Sequence, residues 1–453
     1  MGSTGVNLNG STATSGAGID VTAVVSQILT NESAPENLLK AQLTQLGTDQ
    51  ATLSGYNTSL QALLSTINAL SDVSGVLTAR TATSSRTDLV TATADSTAVA
   101  GQHTLVVGNL ASGSSYASDP VTTPTFATGS FRLQLGTAIA VPITVDNTNN
   151  TLSGLAASIN AQNLGVSASV VTDATGARLA LVSNGTGLPA DLTISGNTTG
   201  LNFNKTATAA NASLQVDGVT ISSATNSVTG VLGGVTLNLL NASPGAPITL
   251  KVAPDTTNAA AAVDAFVTAY NSTIASVNQQ FTYDPATGSA GALSASGDLR
   301  SLQTQLLGES TYSISGNNGY TTLASLGINL NNDGTLTVDK AALNDTLANH
   351  FTEFQNFFQS PTGQTGFAQK LSLDLQNLTD PTQGLLNIAI SQNRTDQATI
   401  QSSITNWEDR LATRKAQLTT QYSQVDATLR AFPLLLAQIN GELGSLPSST
   451  TLK

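Results

Sequence analysis

The chain has 453 residues, enough for two to four domains, but only 16 Lys and Arg stand against 28 Asp and Glu, a net charge of −12. About a tenth of the chain is charged where roughly a quarter is usual, which leaves no basic footprint for a nucleic-acid backbone. The absence of cysteine excludes disulfides, thiolate metal sites and thiol nucleophiles, and no apolar run approaches the roughly 20 residues that would cross a bilayer.

The chain opens on an uncharged stretch, Gly2 to Gly18, dominated by Gly, Ser, Thr, Asn and Ala and lacking the apolar core of a cleaved leader. Helical spacing begins at Val21, Val24, Val25 and Ile28 behind a capping Asp20. Residues 1–18 lack the apolar content to repay ordering, and a seamed helix frayed at its end can order on docking, so residues 1–32 are expected to be largely disordered in the free chain. Ser33-Ala34-Pro35-Glu36 then starts a helix with a capping box. Behind it Leu39, Leu43, Leu46, Leu53, Leu60, Leu64 and Ile67 fall on a 4-3 ladder broken only at Gln50 and Asn57, a coiled-coil type seam.

From about residue 80 to 255 the pattern turns to alternating β-branched residues with Gly, Asn and Pro between them, and eight charges cover residues 101–250. Thr104 to Val107, Ile143 to Val145, Val166 to Val171 and Val235 to Leu240 read as strands, with one short helix at Ser153 to Asn160. Helices return with the stripe Val263, Phe266, Val267, Tyr270, Ile274, Val277 and Phe281, then Leu299, Leu302 and Leu306. Ile328 to Val338 predicts a hairpin around Asn332-Asp333-Gly334. Leu343, Leu347, Phe351, Phe354 and Phe358 mark a helix stopped by Pro361-Thr362-Gly363. The longest candidate, 385–432, carries the seam Ile400, Ile404, Trp407, Leu411, Leu418, Tyr422, Val425 and Leu429, and Pro433 is expected to end or kink it.

These elements predict an α+β multidomain chain. Both ends form a helical, coiled-coil-like stalk, because a lone helix cannot bury its own stripe, and the middle supplies one or two β-rich head domains. The borders read as a disordered 1–32, a helical domain from 33–79 with 256–433, a β-rich domain from 80–115 with 206–255, a second one at 116–205, and a flexible 434–453.

Catalytic constellations are scarce. The two histidines, His103 and His350, are far apart in sequence and read as structural or solvated, with His103 placed just before a strand. Asn329-x-Asn331-x-Asp333-Gly334 has the opening spacing of a calcium loop, but Lys340 occupies the twelfth position where a bidentate Glu is needed, so a hairpin turn accounts for it better. Six Glu occur in the whole chain. No nucleophile–base pattern or phosphate-cradling loop appears. The expectation is a protein that is not an enzyme and holds no catalytic residue, cofactor or metal. Trp407, the sole Trp, reads as a large seam residue in a helix interface.

From residue 18 onward the chain resembles the flagellar filament-capping family, flagellar hook-associated protein 2. The resemblance rests on Gly18-Ile19-Asp20-Val21, Val25-Ser26-Gln27-Ile28-Leu29 and Ala34-Pro35 near the start. Ile159-Asn160 followed by Gly165-Val166-Ser167-Ala168 is similar to the small flagellin and hook IN motif. Asp217-Gly218-Val219, Gly234-Val235-Thr236-Leu237, Tyr270-Asn271, Leu326-Gly327-Ile328 and Asp333-Gly334-Thr335-Leu336 recur in the family's order. The resemblance implies a closed ring of copies at the distal end of the flagellum, outside the cell, exported without a cleaved leader. It also implies contacts with flagellin, hook–filament junction proteins and an export chaperone, contact of some members with host mucin or glycans, no membrane insertion and no nucleic acid. Competing readings are another flagellar axial or junction subunit, or a secreted adhesin that binds host glycans through the β-rich region.

Overall fold

A computed structural model describes residues 18–445 apart from 286, 287, 289 and 360–362. Helices α1 (Val21–Glu32) and α2 (Ala34–Ser71) open the described chain. The first strands are β1 (Arg80–Ser84), β2 (Val90–Ala94), β3 (Gly101–Asn109), β4 (Ser115–Ser118), β5 (Gly129–Leu135) and β6 (Val141–Val145). Helix α3 (Leu152–Ala161) precedes β7 (Val166–Asp173), β8 (Gly176–Ser183), β9 (Leu192–Ser195) and β10 (Phe203–Ala207). Then come β11 (Ala212–Val216), β12 (Val219–Ser223), β13 (Ser227–Leu232), β14 (Val235–Leu239) and β15 (Ile248–Pro254). After α4 (Thr256–Phe281) and α5 (Gly297–Ser310), the hairpin β16 (Ile328–Leu330) and β17 (Leu336–Val338) leads into α6 (Lys340–Asn349) and α7 (Phe351–Gln359). Helices α8 (Phe367–Thr379) and α9 (Leu385–Gly444) close the described chain. The stop expected at 361–363 falls mostly on residues outside the described ones.

The chain divides into two compact units: Met1–Asn68 with Asp264–Lys340 and Ser360–Lys453, and Ala69–Val263 with Ala341–Gln359. The first is helical and is assembled from both ends of the chain. The second is β-rich and groups with the Phe-rich α7, whose Phe354, Phe357 and Phe358 are fully buried and in ring contact.

The β-rich unit holds two apolar cores. One joins the sheet β1-β15-β3-β11-β12 to the sheet β13-β14-β2 through Leu105, Val107, Leu214, Leu237, Ile248 and Leu250. The other joins β10-β4-β8-β7 and β6-β5-β9 to α3 through Phe131, Ile143, Leu155, Ile159, Leu179 and Leu181. The alternating burial of β14 and β15, inward Val and Leu against outward polar residues, is the two-residue period of half-buried strands. His103 lies inside β3 rather than before it, and its Nδ1 sits 2.7 Å from Asp217 Oδ2.

Two corrections concern the chain ends. Residues 21–32, assigned to a largely disordered segment, form α1 as the spacing behind Asp20 predicts, because Asp20 caps it by accepting from the Ala23 N–H at 2.9 Å and Val25 is buried. Helix α9 does not stop at Pro433 but passes through it to Gly444. Proline removes one main-chain hydrogen bond there, at a cost of about 3 kcal/mol in a helix interior, and the following Leu434-Leu435-Leu436, strong helix formers, resume the helix. Residues 1–17 and 446–453 of the two flexible segments expected at the ends lie outside the described residues.

Candidate functional site

The opening and closing helices lie antiparallel along each other. Arg414 Nε donates to Glu32 Oε1 at 3.3 Å, Lys40 Nζ meets Glu408 Oε1 at 3.1 Å, and Gln397 Nε2 donates to the Leu46 carbonyl at 3.2 Å. At the far end Gly18 packs against the Asp426 carboxylate, whose Oδ1 would have to shift to admit a Cβ there. As the chain advances from 18 to 46 its partners retreat from 426 to 397. Such a continuous register is what a pair of matched seams produces.

The seam is tight at one end and open at the other. In α2, Leu53, Leu60 and Ile67 are buried as expected from the ladder, and Leu64 is only half-buried. Tyr56, Leu63 and Leu70 take the buried positions that the ladder missed; Tyr56 also donates its hydroxyl to the Ser276 carbonyl at 2.9 Å. The breaks at Gln50 and Asn57 carry buried side-chain oxygens with no hydrogen-bond partner, polar interruptions of the kind that fix register at a cost in stability. Toward the N-terminus Leu39, Leu43 and Leu46 are half-buried, and Ile400 lines an open groove of about 350 Å³ with Leu46.

In α9, Ile404 and Leu418 are buried, whereas Trp407, Leu411 and Tyr422 are half-buried. The Trp407 ring carries the Arg410 guanidinium 4.3 Å from its centroid, so this side chain is a partly wet stacking partner rather than a fully enclosed core residue. Beyond it the seam loses its cover. Val425 and Leu429 are exposed, and the same 4-3 spacing continues through Phe432, Leu436, Ile439 and Leu443, all of them exposed as well. The four residues past Leu429 lie at or beyond the stop that Pro433 predicts, and the unbroken 4-3 spacing across that proline is the sequence signal that the helix continues.

The motif residues serve the fold. Asn160, at the end of α3, donates Nδ2 to the Ala168 carbonyl at 2.8 Å and accepts the Ala168 N–H on Oδ1 at 2.7 Å, while Ile159 is fully buried. Asn271, on α4, repeats this on β17: Nδ2 donates to the Leu336 carbonyl at 2.8 Å and Oδ1 accepts the Leu336 N–H at 2.6 Å. Each asparagine side chain therefore satisfies both outward backbone groups of one strand residue. Neighbouring Tyr270 is buried and donates to the Leu306 carbonyl at 3.2 Å, and burial pushes its phenol up to about 12.

Asp217-Gly218 is a two-residue hairpin turn with φ of +50° and +84°, a left-handed pair that Asp tolerates and Gly favours. The Asp217 carboxylate also accepts the Thr104 N–H at 2.8 Å, and its bond with His103, the larger influence, holds it below the usual range. Val219 follows, exposed at the start of β12. The calcium-like loop is the β16–β17 turn, where Asp333 Oδ1 accepts from Thr335 N and Oγ1 and Lys340 pairs with Asp264. Among the described residues no group of three or more His, Cys, Asp or Glu is placed to hold a metal, and no helix is long and apolar enough to cross a membrane.

The paired terminal helices leave their apolar stripe open at one end. The family profile described as flagellar hook-associated protein 2 C-terminus matches residues 209–432, the corresponding N-terminus profile matches 17–114, and the flagellin hook IN motif matches 130–185. The B-type flagellar hook-associated protein 2 of Pseudomonas aeruginosa is 31% identical, over 92% of this chain and 93% of its own. The Escherichia coli K12 flagellar hook-associated protein 2 is 27% identical over 91% and 94%. The crystal structure of the D1-D2-D3 domains of the Escherichia coli flagellar cap protein superposes with a TM-score of 0.58 at 27% identity, covering 76% of this chain and 99% of that one. The chain belongs to the flagellar hook-associated protein 2 family. It is a structural protein of the bacterial flagellum, a filament cap, and the adhesin and junction-subunit readings are not favoured.

Proposed function

We propose that the cap works from the outer end of the flagellar filament as a ring of copies that retains exported flagellin while it folds and inserts, and that the open end of the terminal-helix seam is its grip on the filament. The observation that carries this is the stripe Val425, Leu429, Phe432, Leu436, Ile439 and Leu443, which presents a helix-packing surface that nothing in the described chain covers. A partner helix of matching 4-3 pattern would bury it, each Leu contributing roughly 1.5–3 kcal/mol. Modest contacts of this kind suit a cap that must hold on and still step as subunits arrive. An export chaperone is proposed to shield the same stripe before assembly, and junction proteins to offer the surface on which the first ring seats. The two β cores support two head domains, close to 80–115 with 206–255 and to 116–205.

The test is filament elongation from preformed filament ends in the presence of purified flagellin. Cap protein carrying Leu429→Asp and Leu436→Asp is expected to stay folded, as judged by circular dichroism, and to fail to occupy filament tips in electron micrographs. Normal tip occupancy by this double variant would refute the proposed grip.

A further inference from the structure

Three sheet edges in the β-rich unit are closed off by recognisable devices. Edge strand β6 contains Pro142, β10 carries Lys205 and a register shift between Lys205 and Ala207, and β13 has a shift between Thr229 and Leu232. The outer edge of β7 is plugged at Ala168 by Asn160. Beyond that plug it is open. Because Ala168 points its N–H and C=O away from β8, the two-residue alternation of an antiparallel pair turns Val170 and Thr172 outward too.

Strand β12 has no such device. Its residues are Val219-Thr220-Ile221-Ser222-Ser223, without charge or proline, paired to β11 in unbroken register. The tight Asp217-Gly218 turn makes Val216 and Val219 a hydrogen-bonded pair, so Thr220 and Ser222 direct their backbone groups away from the sheet. Val170, Val171, Val219, Thr220 and Ser222 are all exposed, and the backbone groups of Thr220 and Ser222 have no partner among the described residues.

One chain thus carries two open, uncharged edges, one on each of its β cores, and a row of unpaired backbone groups selects an extended strand as its partner. We infer that β12 of one copy pairs with the open half of β7 of a second copy, joining neighbouring subunits by β-strand addition. Two different edges on one chain make the contact heterologous, the type that closes into a ring when the rotation permits. The inference rests on the cap reading for the expectation that copies associate.

The test uses the full chain and sedimentation analysis. Thr220→Pro removes an outward N–H that makes no bond among the described residues, and Thr220→Lys places a charge on the edge without altering the backbone, which guards against misfolding by the first. Either variant is expected to weaken self-association about tenfold, the loss of one to two net hydrogen bonds. Cysteines are introduced cleanly because the chain has none. With a short thiol cross-linker, Val219→Cys and Val171→Cys together in one chain are expected to give a ladder of oligomers, and a mixture of the two single variants only dimers. Cross-linking of the Val219→Cys variant with itself would overturn the inference in favour of a two-fold contact, and wild-type-like association of both Thr220 variants would overturn it outright. A wild-type chain that never associates would instead defeat the cap reading.

Discussion

The two units are stabilised by different kinds of information. In the β-rich unit polar groups are settled over two or three residues: Asp95, Asp146 and Asp173 each accept from the N–H and hydroxyl of the threonine two places on, and the cores beneath are closed. In the helical unit the decisive contacts join residues hundreds of positions apart, such as Glu32 with Arg414 and Asn68 with Ser372, and its core runs out before its helix does. A closed core gives a rigid platform, whereas an unfinished seam leaves binding surface. Low charge is possible in the first because local hydroxyl and amide bonds replace ion pairs.

The sharpest way to break this contrast is to compare the covered and open parts of the seam. Leu60→Ala, at a position with no exposure, is expected to destabilise the helical unit by about 2–5 kcal/mol. Leu436→Ala, on the open stripe, should change the stability of the isolated chain by no more than about 0.5 kcal/mol. Chemical denaturation measures both, and equal costs would mean that the stripe is covered in solution. Next in size is the asparagine pair. Asn271→Ala leaves the N–H and C=O of buried Leu336 unpaired and should cost about 1–3 kcal/mol. Asn160→Ala removes the same pair of bonds from Ala168, which is also buried, but the asparagine itself is exposed to water, so the cost should lie at the low end, about 1 kcal/mol.

A smaller effect sits between α5 and α8. Glu309 is buried, its Oε2 has no partner, and its Oε1 accepts from Lys370 Nζ at 2.6 Å. Burial pushes this carboxyl up, with Lys370 acting against the rise. The folded state therefore holds the proton more tightly than the unfolded chain does. This contribution to stability is complete below the ordinary Glu value of about 4.3 and is lost as pH rises through the raised one. Thermal melts of the wild type should accordingly lose part of their stability over that window, and Glu309→Gln should flatten the dependence; an unchanged profile would remove Glu309 as the cause. The smallest effect tests the local device. Asp173 lies at about 2, chiefly through its bond with the Thr175 hydroxyl, so Thr175→Val should move the value upward in a carboxyl NMR titration while the fold stays intact. The depressed Asp contributes in the opposite sense to Glu309: its share is present above the ordinary Asp value and lost as pH falls through the lowered one.

The sequence by itself marked the long terminal helices, the helical stripe of α4 and four strands of the β-rich region, since burial period is written in side-chain spacing. It also carried the β16–β17 turn and the pairing of the two terminal seams, which rest on nearest neighbours or on one repeating face. Only the tertiary structure decided that Tyr56, Leu63 and Leu70 replace Leu64 in the buried face, because a ladder fixes a stripe but not the angle at which its partner meets it. It alone decided that Pro433 lies within a helix, and that Asn160 and Asn271 seal strand edges, since the distance from an amide to a strand is set by packing and leaves no trace in spacing. The open stripe past Leu429 belongs to both. Its pattern is local, but its exposure depends on what the rest of the chain fails to bring to it.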